Sequence, residues 1–210
     1  MKLIRIDTKT NEIKSTEITK DSEYFLFGSR GLTSKIVNDE VPPKCDPFGP
    51  ENKLIISNGL LTGSPFPNSA RTSVGGKSPL TGGIKEANVG GRGSMLLAQH
   101  GIRGIVLENK SDKWKIVIID DEGIRLETAE DYIGLGNYNL VEKLYEGFGA
   151  RIGVYSIGPA GENQMNASTV ASNDLEGYPS RHAARGGLGS LMGSKKIKAV
   201  VIKPPKQSKV

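Results

Sequence analysis

Cysteine is nearly absent from this chain of 210 residues: Cys45 is the only one, in the loop-like segment VPPKCDPFGP. A single cysteine cannot form an intramolecular disulfide, which favours a reducing, cytoplasmic compartment. It also excludes a cysteine-ligated iron–sulfur cluster or a structural zinc site within this chain. We interpret Cys45 as an unreactive loop thiol, because no partner for nucleophilic catalysis lies near it in the sequence.

Aromatic residues and long apolar runs are also scarce. Phe, Trp and Tyr make up 6% of the chain, which carries a net charge of +5. That charge permits an anionic ligand, but a module that binds nucleotides or RNA would interleave its basic residues with aromatic ones. No apolar run approaches the length of a transmembrane helix, and no signal peptide precedes the first strand pattern. The sequence therefore predicts a cytoplasmic protein that binds neither nucleic acid nor membrane.

Glycine, in contrast, is abundant, with 27 residues clustered at defined points. Alternating apolar residues or short apolar runs predict strands at 2–7, 12–18, 53–57, 71–77, 83–88, 104–108, 114–120, 123–127, 151–157 and 199–202, of which those at 71–77 and 83–88 are broken by glycine. Helical spacing predicts helices at 22–37, 93–100 and 140–148. We therefore predict an α+β fold of two β-sheets with a few short helices. Residues 1–203 are predicted to form one domain, and 204–210 a basic tail or the start of a linker.

Three glycine clusters, at 88–93, 158–163 and 181–195, lie beside Arg or Asn. The order Gly-Ser-Lys at 193–195 reverses the end of a Walker loop. The glycines at 187, 189 and 193 have one residue too many for a dinucleotide fingerprint, and the strand follows them instead of preceding them. Both familiar phosphate motifs are therefore excluded. Bare glycine amides and a helix N-terminus near Leu188 remain candidates for binding phosphate oxygens.

The arginines beside these glycines are the candidate ligand contacts. Arg181 and Arg185 bracket a His-Ala-Ala segment that we expect to turn, and Arg71 is a third candidate. A guanidinium group is permanently charged and binds phosphate oxygens in a bidentate manner. The residues alone thus indicate a phosphorylated small molecule as ligand. The alternative is that the glycines form ordinary turns, the arginines are merely solvated, and His182 is a hydrogen-bonded structural residue.

Six blocks of this sequence, taken in order, resemble the N-terminal domain of the aldehyde ferredoxin oxidoreductase family, the tungsten-pterin enzymes of anaerobes. The blocks are Gly28-Ser-Arg-Gly-Leu32, Glu51–Ile56 with Leu61-Thr-Gly63, Arg71 with Lys77–Gly82, Asn88-Val-Gly-Gly91, Ser156–Asn163, and Met192–Lys195 with the final Lys-Ala-Val strand. One block alone would be weak evidence for the family. Their order along almost the whole chain makes the resemblance specific.

The resemblance implies a base of two β-sheets that carries a tungsten (or molybdenum) bis-pyranopterin cofactor, whose metal is held by dithiolene sulfurs of the pterins. It also implies a magnesium ion that bridges the pterin phosphates, with the backbone carbonyls of Asn88 and His182 as candidate ligands. No catalytic residue is expected in this chain. The cofactor-binding candidates carried over from the family are Arg71, Asn88, Gly90, Gly91, Arg181, His182, Ala183, Ala184 and Arg185.

The chain departs from the family pattern at two points near these candidates. Arg181-His-Ala-Ala-Arg185 stands where the family usually has Arg-Ala-Ala-Gly-Arg, so a glycine is lost and His182 is larger than alanine. Contacts through the backbone carbonyl of His182 are expected to survive this change. Arg92-Gly93 replaces a bulkier, often aromatic pair after Gly-Gly, which is expected to reshape the rim of the pterin site.

Family members are much longer, and their later domains supply the cysteines of a [4Fe–4S] cluster and the substrate cavity. The resemblance therefore implies an incomplete enzyme whose partners are C-terminal domains or a complementing cysteine-rich subunit. The whole enzyme would oxidise an aldehyde substrate to a carboxylic acid with ferredoxin as electron acceptor. The alternative is a non-catalytic, stand-alone scaffold that retains the pterin-binding fold. The oligomeric state is left open, with a homo-oligomer among the alternatives.

Overall fold

The computed structural model describes residues 1–210 and contains twelve β-strands, five short α-helices and one 3-10 helix at Glu130–Tyr132. The strands are β1 (Lys2–Asp7), β2 (Ile13–Glu17), β3 (Leu54–Asn58), β4 (Arg71–Lys77), β5 (Ile84–Gly90), β6 (Ile102–Glu108), β7 (Lys115–Asp120), β8 (Gly123–Thr128), β9 (Gly153–Ser156), β10 (Val170–Ser172), β11 (Arg181–Ala183) and β12 (Ile197–Ile202). The helices are α1 (Ser29–Glu40), α2 (Arg92–Gln99), α3 (Asn137–Phe148), α4 (Pro159–Glu162) and α5 (Leu188–Ser194).

The strands form two six-stranded mixed sheets. Sheet 1 has the order β2-β1-β6-β3-β4-β5, and sheet 2 has the order β11-β10-β9-β12-β7-β8. Strands β1 and β6 pair in parallel in sheet 1, as do β12 and β7 in sheet 2, and the other neighbours are antiparallel. The predicted α+β class with two sheets and a few short helices is therefore confirmed.

The main core lies between the two sheets. Ile56 of sheet 1 and Val117 of sheet 2 belong to one buried apolar cluster. Helix α1 covers the outer face of sheet 1 with Leu32 among its buried residues, and α3 covers the outer face of sheet 2 with Leu140. Each such buried aliphatic side chain stabilises the fold by about 1.5–3 kcal/mol. The layers are thus α1, sheet 1, sheet 2 and α3, and none of the helices has the length and apolarity that crossing a membrane requires.

The first helix begins later than the sequence predicts. Apolar spacing predicted a helix at 22–37, but α1 runs from Ser29 to Glu40 and turns occupy most of residues 21–26. The helix starts there because Gly28 has an extended backbone with φ −153°. A Cβ at Gly28 would lie 3.0 Å from the Asn58 carbonyl oxygen and 3.0 Å from the Leu60 amide nitrogen. Glycine at position 28 therefore lets the backbone just before α1 pack directly on the end of β3.

The glycines of helices α4 and α5 serve close packing. A Cβ at Gly193 would lie 1.9 Å from the Gly161 carbonyl oxygen, so the two helices touch backbone to backbone. All seven residues of α5 are buried, and a Cβ at Gly187, just before it, would lie 2.5 Å from the Asn166 carbonyl oxygen. The glycines at 187 and 193 thus serve packing within the chain, and the binding of phosphate oxygens at the helix N-terminus near Leu188 stays a prediction.

The seven residues of the basic tail form no helix or strand, yet they contact the domain. The Lys206 amide donates to the Asp121 carboxylate at 3.1 Å, and the Lys209 amide donates to the Gln99 carbonyl oxygen at 2.8 Å. Their role as the start of a linker stays a prediction.

Candidate functional site

The edges of the two sheets meet along a groove. Strand β5 is an edge of sheet 1, β11 is an edge of sheet 2, and the two lie side by side. No backbone hydrogen bond joins them, so polar backbone groups along each edge are not used by either sheet. A cavity of about 790 Å³ and a second of about 320 Å³ lie here and share Asn88 and His182. We call these two cavities together the edge groove.

Eight of the nine cofactor-binding candidates line the edge groove. The larger cavity is lined by Arg71, Asn88, Gly90, Gly91, Arg181 and His182, and the smaller one adds Ala184 and Arg185. The segment at 181–183, expected to turn, is instead strand β11, paired with β10. Side chains alternate between the faces of a strand. Ala183 consequently points into the central core and is the one candidate that does not line the groove.

A chain of hydrogen bonds orients Arg71 at the mouth of the groove. Its Nε donates to Asn88 Oδ1, and Asn88 Nδ2 donates to Ser73 Oγ at 3.3 Å. Ser73 Oγ in turn donates to Glu86 Oε1 at 2.5 Å, and Arg30 Nε donates to the other oxygen of that carboxylate at 3.0 Å. Nη1 and Nη2 of Arg71 bond to nothing else in the chain, so an oriented guanidinium edge remains free for an anion.

His182 and its neighbouring arginines differ in how they are held. His182 Nδ1 lies 2.8 Å from Thr169 Oγ1, so the ring is fixed on the edge strand, as the structural alternative expected. Arg181 and Arg185 are exposed and make no side-chain hydrogen bond or ion pair within the protein. The groove therefore has two unengaged guanidinium groups on one side and the oriented group of Arg71 on the other.

Gly91 joins the groove to the loop at 173–180. Its φ of +135° suits glycine, and a Cβ there would lie 2.4 Å from the Asn173 carbonyl oxygen and 2.6 Å from Ser172 Oγ. This close approach lets the Arg92 amide donate to the Asn173 carbonyl oxygen at 3.0 Å. The β5–α2 junction and the end of β10 are thereby fixed together at the floor of the groove.

Arg92 holds the loop that forms the far rim of the groove. Its Nη2 donates to the Leu175 carbonyl oxygen at 2.6 Å and its Nη1 to the Ala150 carbonyl oxygen at 2.6 Å. Within the loop, Asp174 accepts hydrogen bonds from Ser180 Oγ and from three backbone amides. These bonds, led by that of Ser180, lower the pKa of the Asp174 carboxyl. The arginine that departs from the family pattern thus shapes the rim, although it does not itself line the groove.

Charge in the edge groove is positive on balance. Five cationic side chains (Arg30, Arg71, Lys85, Arg181 and Arg185) and three carboxylates (Glu86, Asp174 and Glu176) line its two cavities. Such a surface suits an anionic ligand. Sequence reasoning missed Arg30, Lys85 and the three carboxylates. Arg30 could have been found, because it lies inside the Gly28–Leu32 block, but the loop at 173–180 carries no local signal and reaches the groove only through the fold.

The family model described as "Aldehyde ferredoxin oxidoreductase, N-terminal domain" matches residues 3–204. The chain belongs to this family. The family resemblance inferred from the six sequence blocks is therefore confirmed, and the two-sheet base is the fold of the aldehyde ferredoxin oxidoreductase N-terminal domain.

Two relatives can be aligned with the whole or nearly the whole of this chain. A tungsten-containing aldehyde ferredoxin oxidoreductase of Pyrococcus horikoshii is 37% identical over 100% of this chain and 34% of its own length. The WOR-like subunit of an aliphatic sulfonate oxidoreductase of Pyrococcus furiosus is 28% identical over 96% of this chain and 34% of its own length. The chain thus spans about a third of the length of these relatives.

A solved structure has the same fold. The active site complex BamBC of benzoyl coenzyme A reductase, in complex with 1,5-dienoyl-CoA, contains a chain that superposes with a TM-score of 0.91 at 29% identity. The match covers 99% of this chain and 31% of that one. Oxidoreductases named for different substrates therefore share this domain as one part of a longer polypeptide.

Proposed function

We propose that this chain is the cofactor-binding base of a tungsten (or molybdenum) bis-pyranopterin oxidoreductase, and that the edge groove holds the pterin phosphates. The observation that carries the proposal is the set of three guanidinium groups with free donors, from Arg71, Arg181 and Arg185, around one groove. Membership of a family with tungsten-containing members supports the identity of the cofactor.

The glycines of the groove fit a ligand that approaches the backbone. A Cβ at Gly90 would meet nothing nearer than Arg71 Nη1 at 3.8 Å, so packing within the chain does not require glycine at this position. A side chain there would instead occupy the groove beside the free guanidinium edge. The missing side chain leaves room for phosphate oxygens next to Arg71.

A magnesium ion between the phosphates would take oxygen ligands from both edges of the groove. Asn88 on β5 and His182 on β11 line both cavities, and each lies on an edge strand. We propose that their backbone carbonyl oxygens hold this ion, since a hard cation prefers oxygen ligands. The His182 ring is already bonded to Thr169, so its backbone is the part that we assign to the ion.

The reaction we propose for the whole enzyme is oxidation of an aldehyde to a carboxylic acid, with ferredoxin as electron acceptor. The bound cofactor supplies the two-electron chemistry, whereas this chain binds and orients the cofactor and neutralises phosphate charge. The [4Fe–4S] cluster, the substrate cavity and any proton-transfer residue are assigned to C-terminal domains or a complementing subunit. The relative of greater identity reported above is named as an aldehyde ferredoxin oxidoreductase, which supports the aldehyde as substrate.

The proposal is tested by the double substitution Arg181→Ala and Arg185→Ala. Both side chains are exposed and unpaired, so the fold should be retained. Loss of charge-assisted bonds to phosphate should weaken cofactor binding on the order of tenfold or more. Metal content and oxidised-pterin fluorescence of the purified protein measure the occupancy.

Arg125→Ala is the matched control, because Arg125 lies on β8 at the opposite edge of sheet 2. It removes the ion pairs of Arg125 with Asp120 and Glu127, which lie away from the edge groove, and should leave the cofactor content unchanged. If the double variant kept its full metal and pterin, the assignment of the groove to the phosphates would be wrong.

A second candidate function follows from the length of the match. Because the chain spans 34% of its tungsten-containing relative, it could also serve as a scaffold that binds the cofactor without turning over substrate. Cofactor bound to this chain, with no complementing polypeptide in the native preparation, would favour the scaffold over the oxidoreductase.

A further inference from the structure

Two exposed apolar segments meet at one end of sheet 1. One precedes α1 and the other follows β3, and together they carry Phe25, Leu26, Phe27, Leu60, Leu61 and Phe66. They are neighbours because the Gly28 backbone packs against the Leu60 amide. Leu26 is 75% exposed and Phe66 is 62% exposed. We call these six residues the end surface. An apolar cluster of this kind on a protein marks a site of interaction.

A buried cation lies under the end surface without a counter-charge. Arg103 on β6 is only 9% exposed, and its Nη1 donates to the Phe27 carbonyl oxygen at 3.2 Å. Its Nε is buried with no hydrogen-bond partner, and it forms no ion pair. Burial lowers the pKa of the Arg103 guanidinium, with no nearby carboxylate to offset this effect. A buried charge left unpaired is costly.

The side-chain nitrogens of the other buried cations have hydrogen-bond partners within the chain, either carboxylates or, as for Lys195, two backbone carbonyl oxygens. Arg5 of the same sheet bonds to Glu40 at 2.5 Å and to Glu108 at 2.7 Å. Lys198, fully buried in sheet 2, pairs with Glu162. Arg103 differs from these cations because its buried Nε has no partner within the chain. A carboxylate from outside the chain would supply this partner.

The last residue of the chain lies beside the end surface. A Cβ built on Gly63 would lie 2.6 Å from Val210 Cγ2, and Gly63 belongs to the loop that carries Leu60, Leu61 and Phe66. Polypeptide attached at Val210 would start next to that loop. The tungsten-containing relative has about two-thirds of its length outside the match, since the chain covers 34% of it.

We propose that the end surface is the docking site of the polypeptide that completes the oxidoreductase, and that this polypeptide places a carboxylate against Arg103. The inference rests on the proposed function, because only an incomplete enzyme requires such a polypeptide. Its apolar side chains cover the six residues of the end surface, and its carboxylate pairs with the guanidinium as water is excluded.

A second copy of this chain fits the end surface poorly. In an isologous dimer the same surface of each subunit meets its counterpart, so two Arg103 side chains would approach each other. Like charges brought together in an apolar contact oppose association. The acidic residue that Arg103 lacks is therefore assigned to a different polypeptide.

Site-specific photocrosslinking tests the docking site. A benzoylphenylalanine replaces Leu26 in the chain expressed in its native cells, and crosslinked peptides are sequenced by mass spectrometry. We expect a peptide from a polypeptide that matches the family outside its N-terminal domain, with Asp or Glu close to the crosslinked residue. The same probe at Tyr138, an exposed residue of α3 on the outer face of sheet 2, is the control and should not give this peptide. Crosslinks from position 26 to a second copy, to unrelated proteins or to nothing would overturn the proposal.

Arg103→Met separates docking from a structural role. In the isolated chain this substitution removes an unpaired buried charge, so the urea midpoint should stay the same or rise. Its affinity for the crosslinked polypeptide should fall on the order of 30-fold or more, whereas Arg103→Lys, which keeps the charge, should lose less. A lower urea midpoint, or unchanged affinity, would show that Arg103 serves the fold alone and would overturn the proposal.

Failure of docking and failure of the proposed function are distinguishable on the same sample. If metal and pterin are present but position 26 crosslinks to a second copy, docking is wrong and the cofactor proposal stands. If metal and pterin are absent but the family polypeptide is crosslinked, docking stands and the cofactor proposal is wrong.

Discussion

Lys195 is a fully buried lysine that ties sheet 2 to sheet 1. Its Nζ donates to the Asn52 carbonyl oxygen at 2.5 Å and to the Asn109 carbonyl oxygen at 2.9 Å. Burial, with added repulsion from Lys53, lowers the pKa of Lys195 to about 7. A neutral amine still has two N–H donors, which is enough for both carbonyl oxygens. The contact therefore survives deprotonation.

Lys195 should make the stability of the protein depend on pH. Between about pH 7 and the ordinary lysine pKa of 10.5, Lys195 carries a proton in the unfolded chain but not in the folded chain. Stability should rise with pH across this window, because the unfolded state binds more protons there. In Lys195→Met this contribution disappears, so the urea midpoint should rise less between pH 7 and pH 9.5 than in the unmodified protein.

The control for Lys195 is Lys113→Met, since Lys113 is exposed and forms no ion pair. It should follow the pH profile of the unmodified protein. Parallel profiles for Lys195→Met and the unmodified protein would refute the buried-amine account.

Gly91 is the residue on which the floor of the edge groove depends. Gly91→Ala places a side chain at φ +135° and 2.4 Å from the Asn173 carbonyl oxygen. We expect the free energy of unfolding to fall by about 2–4 kcal/mol, from backbone strain and overpacking together. Urea denaturation followed by circular dichroism measures it.

Gly83→Ala, in the turn between β4 and β5, is the matched control for Gly91. It has no atom within 4 Å of the added Cβ and no positive φ, so it should change the free energy of unfolding by no more than about 1 kcal/mol. Equal effects of the two substitutions would contradict the close approach at Gly91.

Helices α4 and α5 pack through glycine, and this contact is testable at the level of the element. Gly193→Ala would bring a Cβ within 1.9 Å of the Gly161 carbonyl oxygen, so the helices must separate. We expect a loss of at least about 2 kcal/mol in the free energy of unfolding. Gly147→Ala in α3, with nothing within 4 Å, should instead stabilise the protein by about 0.5–1 kcal/mol. Thermal unfolding of both variants measures these changes. An unchanged free energy of unfolding in Gly193→Ala would refute the contact between the two helices.

The long elements were predictable from sequence and the short ones were not. The hairpin β1–β2 and the strands β7 and β8 follow from apolar patterns bounded by turn residues, and the predictions for them are confirmed. Strands β10 and β11 have three residues each, too few for a pattern of period two. Their extended form comes from pairing with each other and with β9, which sequence cannot show.

At the scale of the whole molecule, the sequence could predict which residues belong to the candidate site, but it could not predict the groove that they line. The order of the family blocks pointed to residues on β4, β5 and β11, and the fold brings these to one groove. The rim loop at 173–180 and the unpaired Arg103 could not be predicted. Each depends on contacts between segments far apart in the chain, such as Arg92 with Leu175 and Arg103 with Phe27.

The account as a whole depends on whether this chain carries the cofactor. Elemental analysis with oxidised-pterin fluorescence on the anaerobically purified native protein, with any co-purifying polypeptide identified, tests this most directly. We expect tungsten or molybdenum together with pterin in the bis-pyranopterin ratio, and a cysteine-rich polypeptide from the same family. A protein without metal and without pterin, from cells that make the cofactor, would contradict the claim that the edge groove of this chain holds it.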